Sequence, residues 1–544
     1  MKTGHPGAAT PPRATALALR QVDMLVLGWS LIVPLVLFAI FHGYGFDDPY
    51  ITYRYATNLA DGHGFVYNPG ERVLSTTAPL YALLLAPFAA LGLEVPLISN
   101  LIGCVSQGAG ALALWRLGRL AEMPLAGGAA AVLYSLSPYM ALTLGAETTF
   151  FTAVTLWGFV ALARGRPAVA GSLLAIATLT RADAALAAFV GGSALLLGDP
   201  PGSILHRTDA DTPTGNRPSQ RERPLYRNLH PLLRFGGAYA LIVLPFLGAA
   251  WIYFGSPLPA TLGAKRSQAR IPGSRSYLAG LGQQLAGLVQ RPLFWPLLGL
   301  APLGLVTGLS RRVPLLLPLA WGSLHALAYS LLGVTAYFWY YSPAALALII
   351  AAAMGAATLA AWLRQRRAAR IGVVIVAVLI VMVLAAQVRA LTGMLTQPDP
   401  RLSLYRAAGQ WLAANTGVSD RVGALEVGII GYYSGRPMVD FAGLIQPEVA
   451  RVIAKGGSYD AAARQAISVY RPAYLVNQET ALPLVSSDLH LANRCLAVAA
   501  FPDPRYPSPL TIYRCVWQEG GQTTLPPSPP TRTAAVKVLP QQSL

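Results

Sequence analysis

The chain has 544 residues, of which 54% are hydrophobic and only 12% charged, with a mean hydropathy of +0.48. Soluble domains carry roughly 25% charged residues, so this composition excludes a chain whose main solvent is water. A net charge of +18 in a soluble protein would suggest nucleic acid, but Lys and Arg accumulate in cytoplasmic loops of membrane proteins, which accounts for the excess without a nucleic-acid partner.

In chain order, Lys2, Arg13 and Arg20 precede the apolar run Met24–Phe41. That run is longer than a signal-peptide core and no small-residue cleavage site follows it, so an uncleaved first transmembrane helix is expected. Further runs near 97–115, 126–143, 147–163, 167–181, 183–198, 235–254, 292–309, 314–333, 343–363 and 371–388 bring the expected spans to about eleven. Ala78–Leu91 is apolar but short and holds Pro87. Laid along the interface, it leaves every strongly basic short loop on one side, with about 19 Lys and Arg against about 8 in the opposite loops before residue 389. The N-terminus is then cytoplasmic and the region after about 389 is outside, as in a multi-pass protein of a bacterial inner membrane.

The expected organisation is a membrane all-α bundle over 1–388, with a first outer loop at 42–96 and a cytoplasmic segment at 199–231 that is too polar to fold. Residues 389–517 read as a small extracytoplasmic α/β domain, with an amphipathic helix at Leu402–Ala414. Short apolar stretches follow at Val422–Ile430, Ala473–Val476, Leu496–Phe501 and Leu510–Tyr513. The Pro-rich tail 518–544 reads as disordered. Cys495 and Cys515 fall on neighbouring expected strands, where an oxidising compartment favours a disulfide. No cysteine spacing fits zinc.

The residues with chemistry gather just after the first span, in FDDPYITYRYATNLADGHGFVYNPGERVLSTTAPLY. Asp48 before Pro49 fits a helix N-cap, for a helix running to about Asp61 and stopping at Gly62 or Gly64. Capping explains one carboxylate but not the adjacent Asp47. Two like charges side by side raise one pKa, which suits a general base in a partly dry cleft. Tyr50, Tyr53, Tyr55, Asp61 and Glu71 stand nearby, although an interfacial aromatic belt also accounts for Tyr53 and Tyr55.

The string Asp47-Asp48-Pro49-Tyr50-Ile51-Thr52-Tyr53-Arg54-Tyr55-Ala56, with Asn58-Leu59, Gly62-His63-Gly64 and Asn68-Pro69-Gly70-Glu71, resembles the first outer loop of GT-C glycosyltransferases. The likeness is nearest to the branch of mycobacterial arabinofuranosyltransferases, with mannosyl and lipid A aminoarabinose transferases further off. Gly145–Thr148, Leu179–Asp183, Pro257–Thr261 with Ala264-Lys265, and Val439–Leu444 follow in family order. The resemblance implies transfer of a sugar from a polyprenyl-phosphate donor to a glycan or lipid acceptor. Asp47 would be the base, and Asp48 its partner or a metal or acceptor contact. It leaves room for a divalent cation, Mg or Mn, on Asp47 and Asp48 without requiring any cofactor. Two departures bear on the sugar: Leu74–Pro79 replaces an EGYTN-like run, and Leu179-Thr180-Arg181-Ala182-Asp183 stands for LTRPE.

A departing phosphate needs cations. Arg181, Lys265, Arg266 and Arg270 lie on the outer, less basic side, and donor phosphate or anionic headgroups would each account for them. Tyr50, Arg54, Glu71, Glu147, Asp183, Tyr337 and Tyr340 are the candidate substrate contacts. Helix-dipole complementation also explains Glu147 and Asp183, and interface anchoring also explains the tyrosines. A flippase or transporter of lipid-linked sugars and a non-catalytic scaffold are the rival readings. Sparse intramembrane charge weighs against the transporter.

Overall fold

The structure, a computed structural model, describes residues 13–197, 226–271 and 273–517. Lys2, most of the 199–231 segment and the 518–544 tail lie outside the described residues, as do the side chains of Arg13 and Arg20.

All eleven expected apolar runs are helical. α1 (Arg13–Phe41) leads into α2 (Asp47–Ala60) and α3 (Pro79–Ala90) of the first outer loop. The bundle continues through α4 (Val95–Leu120), α5 (Pro124–Ser135) with its short continuation α6 (Pro138–Ala141), α7 (Thr148–Ala163), α8 (Pro167–Thr180), α9 (Ala185–Leu197) and α10 (Tyr226–Phe254). α11 (Thr261–Gln268) and α12 (Tyr277–Val289) fill the next loop. α13 (Trp295–Arg311), α14 (Leu316–Leu332), α15 (Ser342–Gln365) and α16 (Ala369–Thr396) complete the set. Six of the helices are long and apolar enough to cross a membrane, and the rest of the expected spans are shorter apolar helices. The chain is a multi-pass membrane protein. α3, at about 1.5 Å per residue, falls well short of a bilayer core.

The bundle is packed by small residues, as lipid-embedded helices require. A side chain at Gly304 of α13 would meet the Ala351 carbonyl at 1.8 Å, and one at Gly355 of α15 would meet that of Leu300 at 2.0 Å. Bare backbone on both helices is what lets them touch.

Outside the bundle, α17 (Arg401–Asn415) runs over the span expected for the amphipathic helix. β1 (Val422–Ala424), α18 (Gly428–Ser434), β2 (Met438–Asp440), α19 (Pro447–Ala454), α20 (Tyr459–Tyr470), β3 (Tyr474–Asn477), α21 (Leu489–Ala492), β4 (Cys495–Phe501) and β5 (Leu510–Cys515) follow. The sheet order is β2-β1-β3-β5-β4, parallel across β2-β1-β3 and antiparallel from β3 to β4. Cys495 faces Cys515 in register on β4 and β5, and the two are joined as a disulfide. The apolar stretch Val422–Ile430 is strand only in its first third, and its last third turns into α18. Ile51, Tyr55, Tyr67 and Ala82 of the first outer loop share one apolar core with Leu404, Val427, Ile430 and Met438 of the sheet domain. That shared core fixes the loop against the domain.

Candidate active site

α2 begins at Asp47, with Phe46 at the N-cap position and no side-chain capping bond. Asp48 therefore does not cap the helix, contrary to the local reading of Asp48-Pro49. The two acids sit in the first turn, where they complement the helix dipole, and Pro49 is tolerated there because its missing N–H would have had no helical partner. Gly62, in the left-handed region at φ +80°, ends the helix just past Asp61.

With no capping duty of their own, both acids reach across to distant elements. Asp47 accepts from the Gly428 amide at 2.8 Å and from the Ile429 amide at 2.7 Å. It thus caps the start of α18 from 381 residues away. Burial pushes the Asp47 carboxyl up to about 6, with the Ile429 and Gly428 amides pulling it down and Asp48 adding to the rise. Asp48 accepts from Lys265 Nζ at 2.5 Å. Burial alone would lower the Lys265 pKa, but the Asp48 charge more than reverses this and keeps the ammonium protonated.

Lys265 lies on α11 at 4% exposure, boxed by the rings of Tyr337, Trp339 and Tyr340 at 5.1, 5.4 and 5.6 Å. These aromatics form one 3₁₀ turn, Phe338–Tyr341, with Tyr337 just before it and α15 just after. Phe46, next to Asp47, stacks on Trp339 at 4.7 Å. Tyr337 stacks on Trp339 at 4.6 Å and donates to Gln268 Oε1. The same turn sends Phe338 and Tyr341 into the wall of an apolar groove of about 1160 Å³ between α12, α13, α14 and α15. Leu142, Leu298, Leu305 and Leu348 line it further in.

Tyr340 also carries Arg181 over its ring at 5.6 Å, so the two cations flank one aromatic side chain. Arg181 is not a free cation, however. It binds Glu147 at 2.7 Å and Asp183 at 2.9 Å, and Asp183 accepts further from Tyr329 at 2.8 Å and pairs with His325 at 3.2 Å. The expected donor-phosphate role of Arg181, and the substrate roles of Glu147 and Asp183, meet a closed ion network that ties α7, α8 and α14 together. Arg54 is likewise engaged. It is 3% exposed, and its three nitrogens donate to the carbonyls of Tyr67, Gly431 and Arg436. Tyr50 is buried among Tyr53, Tyr432 and Tyr433. Glu71 binds Asn68 and faces Arg421 at 4.0 Å, at the seam between loop and sheet domain. Arg266 and Arg270 are exposed on the α11 side. The residues brought together are thus Asp47, Asp48, Lys265, Tyr337 and Tyr340.

Glu426 completes this group and was not foreseen. It lies between β1 and α18, within hydrogen-bonding reach of the Asp47 carboxyl, and 3.9 Å from Arg401. Burial, and next the Asp47 charge, push its own carboxyl well up. The one sequence signal for it is a lone acid inside the apolar stretch 422–430. As arranged, the acids do not form a metal-ligand set. Both oxygens of Asp47 are taken by amides, Asp48 is taken by Lys265, and no group of three His, Cys, Asp or Glu suited to a metal occurs among the described residues.

The family model described as a domain of unknown function (DUF8728) matches residues 395–519. No curated protein sequence matches the chain. Solved structures do. The oligosaccharyltransferase AglB of Archaeoglobus fulgidus, in complex with an inhibitory peptide and a dolichol-phosphate, aligns over 93% of this chain and 75% of its own, at 13% identity and a TM-score of 0.57. ArnT of Cupriavidus metallidurans bound to undecaprenyl phosphate aligns over 94% of this chain and 100% of its own, at 14% identity and a TM-score of 0.55. The mycobacterial arabinofuranosyltransferase AftD aligns over 94% of this chain and 40% of its own, at 18% identity and a TM-score of 0.53. A bundle, a structured first outer loop and a C-terminal domain in this arrangement give the chain the fold of the GT-C glycosyltransferases.

Proposed function

We propose that this protein transfers a sugar from a polyprenyl-phosphate donor to an acceptor on the outer face of a bacterial plasma membrane. The observation that carries the reading is the junction at Asp47 and Asp48. A half-buried carboxylate pair meets a protonated lysine in an aromatic box, and the turn that carries the box also lines an apolar groove of about 1160 Å³ through Phe338 and Tyr341. Asp47, at about 6, is ionised near neutral pH and able to act as a base. It takes the proton of an acceptor hydroxyl as that oxygen attacks the anomeric carbon. The bond from that carbon to the donor phosphate breaks on the opposite face, which inverts the centre. Lys265 exchanges Asp48 for the phosphate and neutralises the charge that develops there. Arg266 and Arg270, exposed on the same side, add attraction for the anionic headgroup. Arg181 and its acids brace Tyr340.

The outward orientation is supported by the basic helix ends of α4, α7, α13 and α15, which fall at the bundle end opposite Asp47. The disulfide in the C-terminal domain belongs in an oxidising compartment. The test is Asp47→Asn in purified protein supplied with polyprenyl-phosphate sugars and envelope acceptors. We expect turnover to fall by about 10²–10⁴-fold, the usual worth of a general base, with a cooperative melt lowered by no more than the roughly 0.5–2 kcal/mol that one helix cap is worth. Unchanged turnover in a folded variant would overturn the reading. So would envelope glycans of unaltered mass in cells that lack the protein.

A further inference from the structure

The lipid-sided groove is only one of two large openings at the site. The second, about 910 Å³, lies between the bend from α16 to α17 and the β3–β5 face of the sheet domain. The two share no lining residue, and both are lined by the end of α16, the groove by Met394 and the second cavity by Thr396. Glu426 is in the wall of the second cavity, with 35% of its side-chain surface open to it. Tyr405 and Ile430 stand beside it in the wall, and Glu426 links the cavity to Asp47, whose carboxyl it reaches.

We infer that this second cavity is the acceptor site and that it takes an uncharged glycan. The inference rests on the transferase reading and extends it to the substrate class. The chemistry of the wall selects the class. Tyr44, Tyr405 and Tyr506 offer ring faces, which suit the C–H faces of pyranose or furanose rings. The hydroxyls of Tyr405 and Tyr506 have no hydrogen-bond partner among the described residues, and Asn477 and Gln478 add amide oxygens, their amide nitrogens being held by Glu479, Leu482 and Ser508. The charges are already paired off: Arg401 with Asp399 at 2.6 Å, and Arg505 with Asp503 at 2.7 Å. A phosphate or an acidic peptide would find no uncommitted cation here, whereas a polyhydroxyl ligand would find rings, hydroxyls and amides. The size falls at the upper end of roughly 300–1,000 Å³ for small-molecule sites, enough for a short oligosaccharide. The position also suits the reaction. The acceptor oxygen must approach the base from the side opposite the leaving phosphate, and Glu426 sits where the proton gained by Asp47 can pass on to water in the cavity.

The experiment is calorimetric titration of the full chain in lipid nanodiscs with short, uncharged, linear oligosaccharides of arabinose, mannose and galactose. Binding needs no donor and no turnover. We expect at least one series to bind, Tyr506→Ala and Gln478→Ala each to weaken it about tenfold, and Asp47→Asn to bind as the parent does. Tyr506→Phe, which keeps the ring, separates a stacking loss from misfolding. No binding by any series, or full-strength binding by both cavity variants, would overturn the acceptor assignment while leaving Asp47-dependent turnover untouched. Normal cavity-dependent binding without Asp47-dependent turnover would instead sink the transferase reading alone.

Discussion

At the scale of single residues the site joins two acids from distant parts of the chain. Asp47 comes from the first outer loop and Glu426 from the sheet domain, and burial raises both carboxyls. As a base Asp47 must be ionised, so kcat/KM should rise with pH through about 6 and level off above it. The apparent value belongs to the pair. The hydrogen bond between Glu426 and Asp47 holds the Asp47 pKa down. Glu426→Ala should therefore move the acid limb to higher pH. A pH–rate profile identical to the parent's would show that Glu426 has no hold on Asp47. The two adjacent acids were legible in the sequence because the signal is local: a doublet beside a span end, ahead of a Pro. Glu426 was not, because its meaning comes from a contact with a residue about 380 positions away. For Arg181 and Arg54 the structure adds partners that the local sequence does not show, Glu147 for the first and the Gly431 and Arg436 carbonyls for the second. A basic residue on the less basic side announces a charge requirement, and the sequence does not say whether ligand or protein fulfils it.

Among elements, the apolar helices were readable because lipid imposes length and composition on each span independently of its neighbours. The sheet domain was less so. Its strands are short, and α18 replaces the last third of a stretch that would serve equally as strand. What turns the chain there is partly Asp47, which meets the first amides of α18 from another element. Gly428 is what allows that approach. A Cβ at this position would stand 2.0 Å from the Asp47 carbonyl oxygen and 2.8 Å from its Oδ2. Gly428→Ala must push the start of α2 away from α18. Displacing a reacting group by about 1 Å costs on the order of 10²-fold in rate, so turnover should drop by about that much. The clash should also lower stability by about 1–3 kcal/mol. Turnover and a melting curve on the same preparation decide it. Full activity in Gly428→Ala would mean that the docking of α2 on α18 does not set the position of the base.

Across the whole molecule, the chain sorts charge by bundle end. Counted by alternation through the helices, Arg116 and Arg119 end α4, Arg164 follows α7, and Arg311 ends α13. Arg364 ends α15, and all of these fall at the end where α1 starts. Asp47, Glu147, Lys265, Tyr340 and the sheet domain fall at the other. The contact of Arg119 with Asp23, at 2.9 Å, ties α1 and α4 at the basic end. Basic loops stay cytoplasmic during insertion, so the proposed active site is expected outside, where lipid-linked sugars would have to be presented. The thiol background makes this simple to test in intact cells, since Cys104 is buried and the other two cysteines are bonded to each other. A cysteine at Val418, 78% exposed on the sheet domain, should react with a membrane-impermeant maleimide. A cysteine at Arg366, exposed between α15 and α16, should react only after the membrane is opened. Labelling in the reverse order would place Asp47 in the cytoplasm. There a nucleotide-activated sugar could serve as donor, and the apolar groove would need another occupant.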